Sequence, residues 1–174
     1  MPNDCANNVS IQGDMYDILR FWEAMRDDDG EQRLVNLVPM PDELNNHDGG
    51  WYSWAIENWG TKWGDYDHYV MLFEAGGGYI DMAFLTAWGP FSDAFWHRVS
   101  RQFPDLTFIV SYHEPGMVFC GASKYRNGET LAERHIDDYR KVIGEPNWDD
   151  ADSVARWQDR LTDLRDGIVR SVDR

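Results

Sequence analysis

Basic residues are scarce in this sequence. Its 174 residues include only three lysines, Lys62, Lys124 and Lys141, and 16 basic residues face 31 acidic ones, which gives a formal net charge of −15. We therefore expect no direct binding of nucleic acid, because neutralising phosphates requires clustered Lys and Arg. The same charge disfavours anionic membranes as partners, so it favours either a cationic partner or solubility alone.

Cysteines and long apolar runs are also scarce. Cys5 and Cys120 are too few for a disulfide framework. They indicate buried thiols in a reducing compartment, and a Cys5–Cys120 bridge between strands is the less favoured alternative. No apolar run approaches the length of a membrane span, and the N-terminal segment lacks the pattern of a signal peptide. The sequence therefore predicts a soluble cytoplasmic protein.

Motifs of enzyme classes are missing as well. None of the five histidines belongs to a zinc-binding pattern, and no serine lies in a nucleophile elbow. The three glycines at 76–78 lack the following Lys and the helix of a phosphate loop, so they indicate a hairpin turn. We expect no catalytic residues, no metal and no cofactor.

Hydrophobic periodicity predicts alternating strands and helices. Alternation around Val9 and Ile11 indicates a strand, and apolar residues between 15 and 25 recur at helical spacing. After an irregular stretch come two strand-like runs, a helix beginning near Pro90, and two strands separated by the turn sequence HEPG. Without the last strand, this order is βαββαβ. It predicts an α+β, ferredoxin-like fold, an antiparallel sheet with two helices on one face.

The chain divides at residue 128 in this interpretation. Residues 1–128 form the ferredoxin-like domain, with an irregular, Trp-rich insertion at 33–67. Residues 129–174 carry an apolar stripe at helical spacing, which predicts a C-terminal amphipathic helix packed on the domain or on a second subunit. A homodimer is therefore one alternative.

The segment WYSWAIENWGTKWGDYD at 51–67 is the densest aromatic stretch. Its spacing fits neither one helix face nor one strand, and Gly60 and Gly64 interrupt it. It forms either a pocket for a ring or a methylated cation, or anchors for a protein partner, or a loop that packs its own indoles. A ligand-binding or enzymatic site here would use Trp51, Trp54, Glu57, Trp59, Lys62, Trp63, Asp65, His68 and His113.

Two polar turns are further candidates. Asp65, Asp67 and His68 could form an acid–base or metal cluster, but a capping turn before a strand is favoured. His113 and Glu114 lie at a predicted hairpin tip, where an ordinary turn is again favoured over a catalytic loop.

Several segments together resemble the YubB-type family of phage and plasmid proteins with a ferredoxin-like domain. They are CANNVSIQG at 5–13, LVPMPDEL at 37–44, ENWGTKWG at 57–64, FLTAWGPF at 84–91, FPDLTF at 103–108 and YHEPGMVFCG at 112–121. The resemblance implies a ferredoxin-like fold in an accessory protein of a mobile element, and it brings no reaction. Residues from 129 onward lie outside it.

Mobile elements commonly carry antagonists of host defence, so the resemblance and the charge together favour one function. We predict a non-enzymatic inhibitor of anti-CRISPR or anti-restriction type, which mimics nucleic acid and binds a host protein with a basic nucleic-acid-binding surface in the bacterial cytoplasm. Its contacts would come from Asp27, Asp28, Asp29, Glu31, Asp149, Asp150 and Asp152. The alternatives are that these acids only cap and solubilise, that the protein binds a small ligand or is an enzyme, or that it is a structural protein dimerising through its C-terminal helix.

Overall fold

Six strands form one antiparallel sheet. A computed structural model describes residues 3–45, 50–74 and 78–174, and of residues 45 and 68–74 it describes the backbone alone. The strands are β1 (Asp4–Gln12), β2 (Tyr66–Glu74), β3 (Tyr79–Ala87), β4 (Thr107–Glu114), β5 (Phe119–Arg126) and β6 (Glu129–Ile136). Their order is β2-β3-β1-β4-β5-β6, and every neighbouring pair is antiparallel.

The helices are α1 (Met15–Ala24), α2 (Gly50–Asn58), α3 (Asp93–Gln102), α4 (Arg140–Ile143) and α5 (Ala151–Asp173). Two short 3-10 turns, Leu34–Leu37 and Asp42–Asn45, precede α2. Within the described residues, no helix combines the length and apolarity that a membrane crossing requires.

The first four strands with α1 and α3 confirm the predicted ferredoxin-like unit. β3 lies between β2 and β1 and pairs with both, as in a split βαβ arrangement. α1 begins after Asp14, whose carboxylate accepts the backbone N–H groups of residues 16 and 17. Alternate β1 residues such as Val9 and Ile11 pack with Phe21 of α1 and Trp96 of α3 in one core. Both helices therefore cover one face of the sheet.

The structure adds a strand where the sequence interpretation placed only a helical extension. β6 pairs with β5 from Glu129 to Ile136, so the sheet continues past residue 128. The connection is a two-residue turn in which Asn127 and Gly128 have φ angles of 48° and 80°, a typical hairpin sequence. β6 was missed because it is an edge strand without buried residues, and its hydrophobic alternation is weak.

α5 covers part of the second face of the sheet. Its residues Trp157, Leu161, Ile168 and Val172 are buried. They form a second core with Ile109, Cys120, Ala122 and Tyr139. Because Ile109 alternates along β4 with residues of the first core, this core lies on the opposite face. The apolar stripe of the C-terminal helix thus packs on the sheet of its own chain.

The insertion at 33–67 is more regular than predicted, because residues 50–58 form α2. Apolar side chains lie on several sides of this helix, so its periodicity is weak. Asp65, just before β2, connects the end of the insertion to its first 3-10 turn. Its buried carboxylate accepts the N–H groups of Leu34 and Val35, each at 3.0 Å.

Candidate functional site

An aromatic groove lies on the surface of the insertion. It has a volume of about 350 Å³ and is lined by Met40, Trp51, Trp59, Lys62 and Trp63. The indole of Trp59 is buried, and its Nε1 donates to the carbonyl of Val38 at 2.8 Å. Trp63, by contrast, is 44% exposed. The groove therefore has a fixed indole at its base and an accessible indole at its rim.

Lys62 lies against two exposed indoles at this rim. Its Nζ is 4.5 Å from the centre of the Trp63 ring and 5.4 Å from that of Trp88. Trp88 directly follows β3 and is 42% exposed. Lys124 and Lys141 each pair with a carboxylate, whereas Lys62 makes no ion pair within the described ranges. An ammonium over indole faces is held by cation–π attraction.

The segment 58–64, which carries Lys62 and Trp63, is hydrogen-bonded to the end of β3 and to the loop that follows it. Gly60 has φ +81°, and a Cβ there would lie 2.8 Å from the backbone N of Ser92. The same Ser92 N–H donates to the carbonyl of Trp59 at 2.9 Å. Thr61 is buried and donates from its hydroxyl to the carbonyl of Ala87 at 2.9 Å. The rim residues are thus presented on a rigid segment bonded to the loop after β3.

Gly64 and Asn58 fix the two ends of this segment. Gly64 has φ +74°, and a Cβ there would collide with the side chain of Val35. Asn58 donates from Nδ2 to the carbonyl of Trp54 at 2.9 Å, and its Oδ1 accepts from Arg98 of α3.

Of the predicted ligand-site residues, Trp51, Trp59, Lys62 and Trp63 do meet in the groove. Trp54 lies behind it, edge-to-face with Trp59 at 5.2 Å, and packs against the core. Three of the remaining four residues do not line the groove, and the fourth, His68, is described by its backbone alone. Glu57 is exposed on α2, Asp65 is buried in its capping role, His113 belongs to β4, and the side chain of His68 lies outside the described residues.

His113 and Glu114 have separate environments. Half-buried His113 has a buried Nδ1 without a hydrogen-bond partner among the described residues. Burial lowers the pKa of His113, and the nearby charge of Arg165 lowers it further. Buried Glu114 accepts the N–H groups of Gly116 and Met117, so its carboxylate shapes the β4–β5 turn. The predicted position at the hairpin tip is wrong for His113, which lies within β4 and is paired with Cys120 of β5, whereas Glu114 ends β4 and supports the turn that follows.

The two cysteines are buried, free thiols. Burial raises the pKa of Cys5 to about 12 and also raises the pKa of Cys120. A thiol with a raised pKa is a poor nucleophile at neutral pH. The described residues contain no group of three or more His, Cys, Asp or Glu that could hold a metal ion.

The predicted acidic residues lie in two exposed runs. The carboxylate of Asp27 accepts the N–H groups of Asp29 and Glu31, at 3.0 and 2.8 Å. Asp150 caps α5 by accepting the N–H of Asp152 at 3.0 Å. Asp27 and Asp150 therefore have the capping role that the sequence analysis gave as an alternative for all seven acids. The other five carboxylates make no hydrogen bond or ion pair with described residues: Asp28, Asp29, Glu31, Asp149 and Asp152.

Both acidic runs lie at the same end of the sheet. The first run is followed by Arg33, which donates to the carbonyl of Asp65 at 2.7 Å, just before β2 begins. The second run lies at the N-terminus of α5, and Trp157 in the same half of that helix contacts the ring of Tyr139, with 6.0 Å between ring centres. The N–H of Tyr139 donates to the carbonyl of Val118 at 2.9 Å, just before β5 begins. Because β2 and β5 both start at the end where β1 starts, the two runs flank that end from opposite faces.

The fold and the groove define an α+β protein of ferredoxin-like type with an extended sheet and an aromatic insertion. The chain belongs to the family described as "Ferredoxin-like domain in Api92-like protein", whose model matches residues 58–155, more than half of the chain. The YubB-type affiliation stays a prediction, because neither the matched family nor the structural relative carries that name.

Among solved structures, the chain is similar to the crystal structure of protein api92 from Yersinia pseudotuberculosis. The TM-score is 0.61 and the sequence identity 9%, and the match covers 78% of this chain and 98% of that one. At this identity the likeness shows the fold alone. No curated protein sequence matches the chain.

Sequence reasoning missed Met40 and Trp88 as members of the site. Trp88 had a signal, since it is a tryptophan in the segment FLTAWGPF directly before a Gly-Pro turn. Met40, between two prolines, had none.

Proposed function

We propose that the chain is a non-enzymatic accessory protein of a phage or plasmid that inhibits a host defence machine. It binds the basic nucleic-acid-binding surface of a host protein, in the manner of an anti-CRISPR or anti-restriction protein that mimics nucleic acid. Its place of action is the cytoplasm of the bacterial host, and neither nucleic acid nor a membrane is its direct partner.

The observation that carries this proposal is the placement of the two exposed acidic runs at one end of the sheet. In a chain of net charge −15 they concentrate unpaired carboxylates on a rigid scaffold. Carboxylates fixed in this way occupy a basic channel without having to be ordered on binding, so less of the interaction energy is lost. The field of the whole chain also speeds the encounter with a cationic surface.

The experiment begins with capture of the partner from the native bacterial host by the tagged full-length chain. The affinity of the purified partner is then measured for the parent and for a variant in which the five unpaired acids become Asn or Gln: Asp28, Asp29, Glu31, Asp149 and Asp152. Exposed ion pairs contribute roughly 0.2–1 kcal/mol each. Five lost pairs then cost about 1–5 kcal/mol, so we expect the variant to bind at least about fivefold more weakly.

A matched control removes the same amount of charge elsewhere. It neutralises five exposed acids outside the two runs: Asp105, Glu129, Asp159, Asp163 and Asp166. We expect the control to bind within about threefold of the parent and the parent's affinity to fall steeply with added salt. If the partner has no nucleic-acid-binding surface, if salt has no effect, or if the two variants bind alike, the proposal is wrong.

A further inference from the structure

We infer that the aromatic groove is a binding site for a planar aromatic molecule that carries an anionic group, either a carboxylate or a phosphate. The groove is formed by the insertion, and none of the acids in the two runs lines it. The inference therefore stands independently of the proposed inhibition.

The lining of the groove fits a flat ring. Trp51, Trp59 and Trp63 supply indoles, and Met40 supplies a polarisable thioether that adapts to a ring edge. The volume of about 350 Å³ lies in the range of small-molecule sites in proteins, roughly 300–1,000 Å³. Since the base is buried and the rim is open, a ring can enter and stack without displacing the core.

Lys62 determines the charge of the ligand. It lines the groove, and it is the lysine that has no carboxylate partner in the part of the chain that is described. Contacts of its Nζ with Trp63 and Trp88 orient the ammonium at the rim, and those of its three N–H donors that are not directed at the two rings have no carboxylate partner among the described residues. Those donors are available to an anionic oxygen of a ring stacked below, and charge-assisted hydrogen bonds of this kind are the stronger ones.

The site is built before the ligand arrives. Trp63 and Trp88 are large exposed indoles, yet they adjoin a segment fixed by Thr61 and by two glycines with positive φ, Gly60 and Gly64. Such a segment keeps apolar rings in water instead of folding them into the core. A preformed rim loses little conformational entropy on binding, which favours affinity for a small ligand.

The acidic character of the chain does not prevent an anion from binding here. Charges more than about 8 Å away are largely screened at physiological ionic strength. Glu57, which precedes the segment, is exposed on α2 and does not line the groove. Asp65, which follows the segment, is buried, and both its carboxylate oxygens accept backbone N–H groups of the first 3-10 turn. Its charge is therefore partly balanced by the dipoles of those two N–H groups.

The test is calorimetric titration of the full chain with three ligands that share one ring: 2-naphthoate, 2-naphthalenemethanol and 2-naphthylmethylammonium. We expect 2-naphthoate to bind at least about tenfold more tightly than the neutral alcohol, and the ammonium ligand to bind most weakly. A second pair, adenosine 5′-monophosphate and adenosine, tests a ring with a phosphate. For each pair we compare the affinity of the anion with that of its neutral counterpart. The pair with the larger ratio identifies whether the site prefers a carboxylate or a phosphate.

Two variants locate the binding. Lys62→Met removes the charge but keeps an unbranched side chain, and should reduce the affinity for the anion to that for the neutral ligand. Trp63→Leu should weaken every ligand by about fivefold, through lost stacking. Their controls are Lys141→Met and Trp148→Leu, which change an exposed lysine and an exposed tryptophan away from the groove and should leave affinities unchanged.

Thermal unfolding of each variant verifies that it is folded. The inference is overturned if no ligand of either set binds below about 1 mM. It is also overturned if neutral or cationic rings bind as tightly as anionic ones, or if the two groove variants bind like their controls.

Discussion

The capping carboxylate of Asp65 gives a sharp prediction about stability. Asp65→Asn leaves the shape of the side chain nearly unchanged, but it replaces one accepting oxygen by an NH₂ group. That group cannot accept from the backbone, so the N–H of either Leu34 or Val35 loses its partner in a buried environment. An unsatisfied buried donor costs about 1–3 kcal/mol, and bonds to a charged acceptor lie at the upper end of that range.

We therefore expect Asp65→Asn to lower the free energy of unfolding by about 2–3 kcal/mol. The matched control is Asp67→Asn, two residues further on, whose side chain is exposed. Its φ of 45° is a conformation that Asn adopts readily, so its effect should stay within about 0.5 kcal/mol. Urea unfolding followed by far-UV circular dichroism measures both. Equal stability of the two variants would show that Asp65 does not hold the insertion.

Three further perturbations test the packing of α5, the histidine beside it and the β5–β6 turn. Trp157→Ala should cost about 3–5 kcal/mol in urea unfolding, because Trp157 is buried in the second core, whereas Trp148→Ala, at a residue 66% exposed, should cost less than about 1 kcal/mol. Burial and Arg165 lower the pKa of His113 in the fold, so the unfolded chain takes up the proton more readily and stability falls as pH drops through about 6.5. His113→Leu should lose less stability between pH 7 and pH 5, and a slope identical to the parent's contradicts the assignment. Gly128→Ala should lower the unfolding free energy by about 1–3 kcal/mol, because φ is +80° and the new Cβ would collide with a side chain of α3; an unchanged urea midpoint would refute this.

The ferredoxin-like unit was predictable because its elements carry strong local signals. Val9 and Ile11 alternate, Asp14 caps the first helix, and the HEPG turn separates two strands, so each element is specified by nearby residues. Only the order of these elements was needed to reach the fold.

β6 and α2 were missed for different physical reasons. β6 is an edge strand with no buried residue, so its sequence shows no clear alternation of apolar and polar residues. The turn at Asn127 and Gly128 was nevertheless a usable signal for a hairpin. α2 is short and has apolar residues on several sides, so no helical face is visible in the sequence. Its formation depends on the rest of the insertion.

The groove could be predicted only in part. The sequence places Trp51, Trp59, Lys62 and Trp63 close together along the chain, and that proximity was visible. What it could not show is that Trp88, 25 positions beyond Trp63, lies across Lys62, because this contact depends on the bond from Thr61 to Ala87. Contacts of this kind arise from tertiary structure and leave no periodic pattern.

The most direct test of the proposed inhibition is displacement of nucleic acid from the captured host partner. Fluorescence anisotropy follows a labelled nucleic acid bound to that partner while the full-length chain is added. We expect full release, with the five-acid variant needing at least about fivefold more protein than the parent and the matched control no more than about threefold more. If the nucleic acid stays bound when the partner is saturated with the chain, the acidic end of the sheet does not act as a mimic.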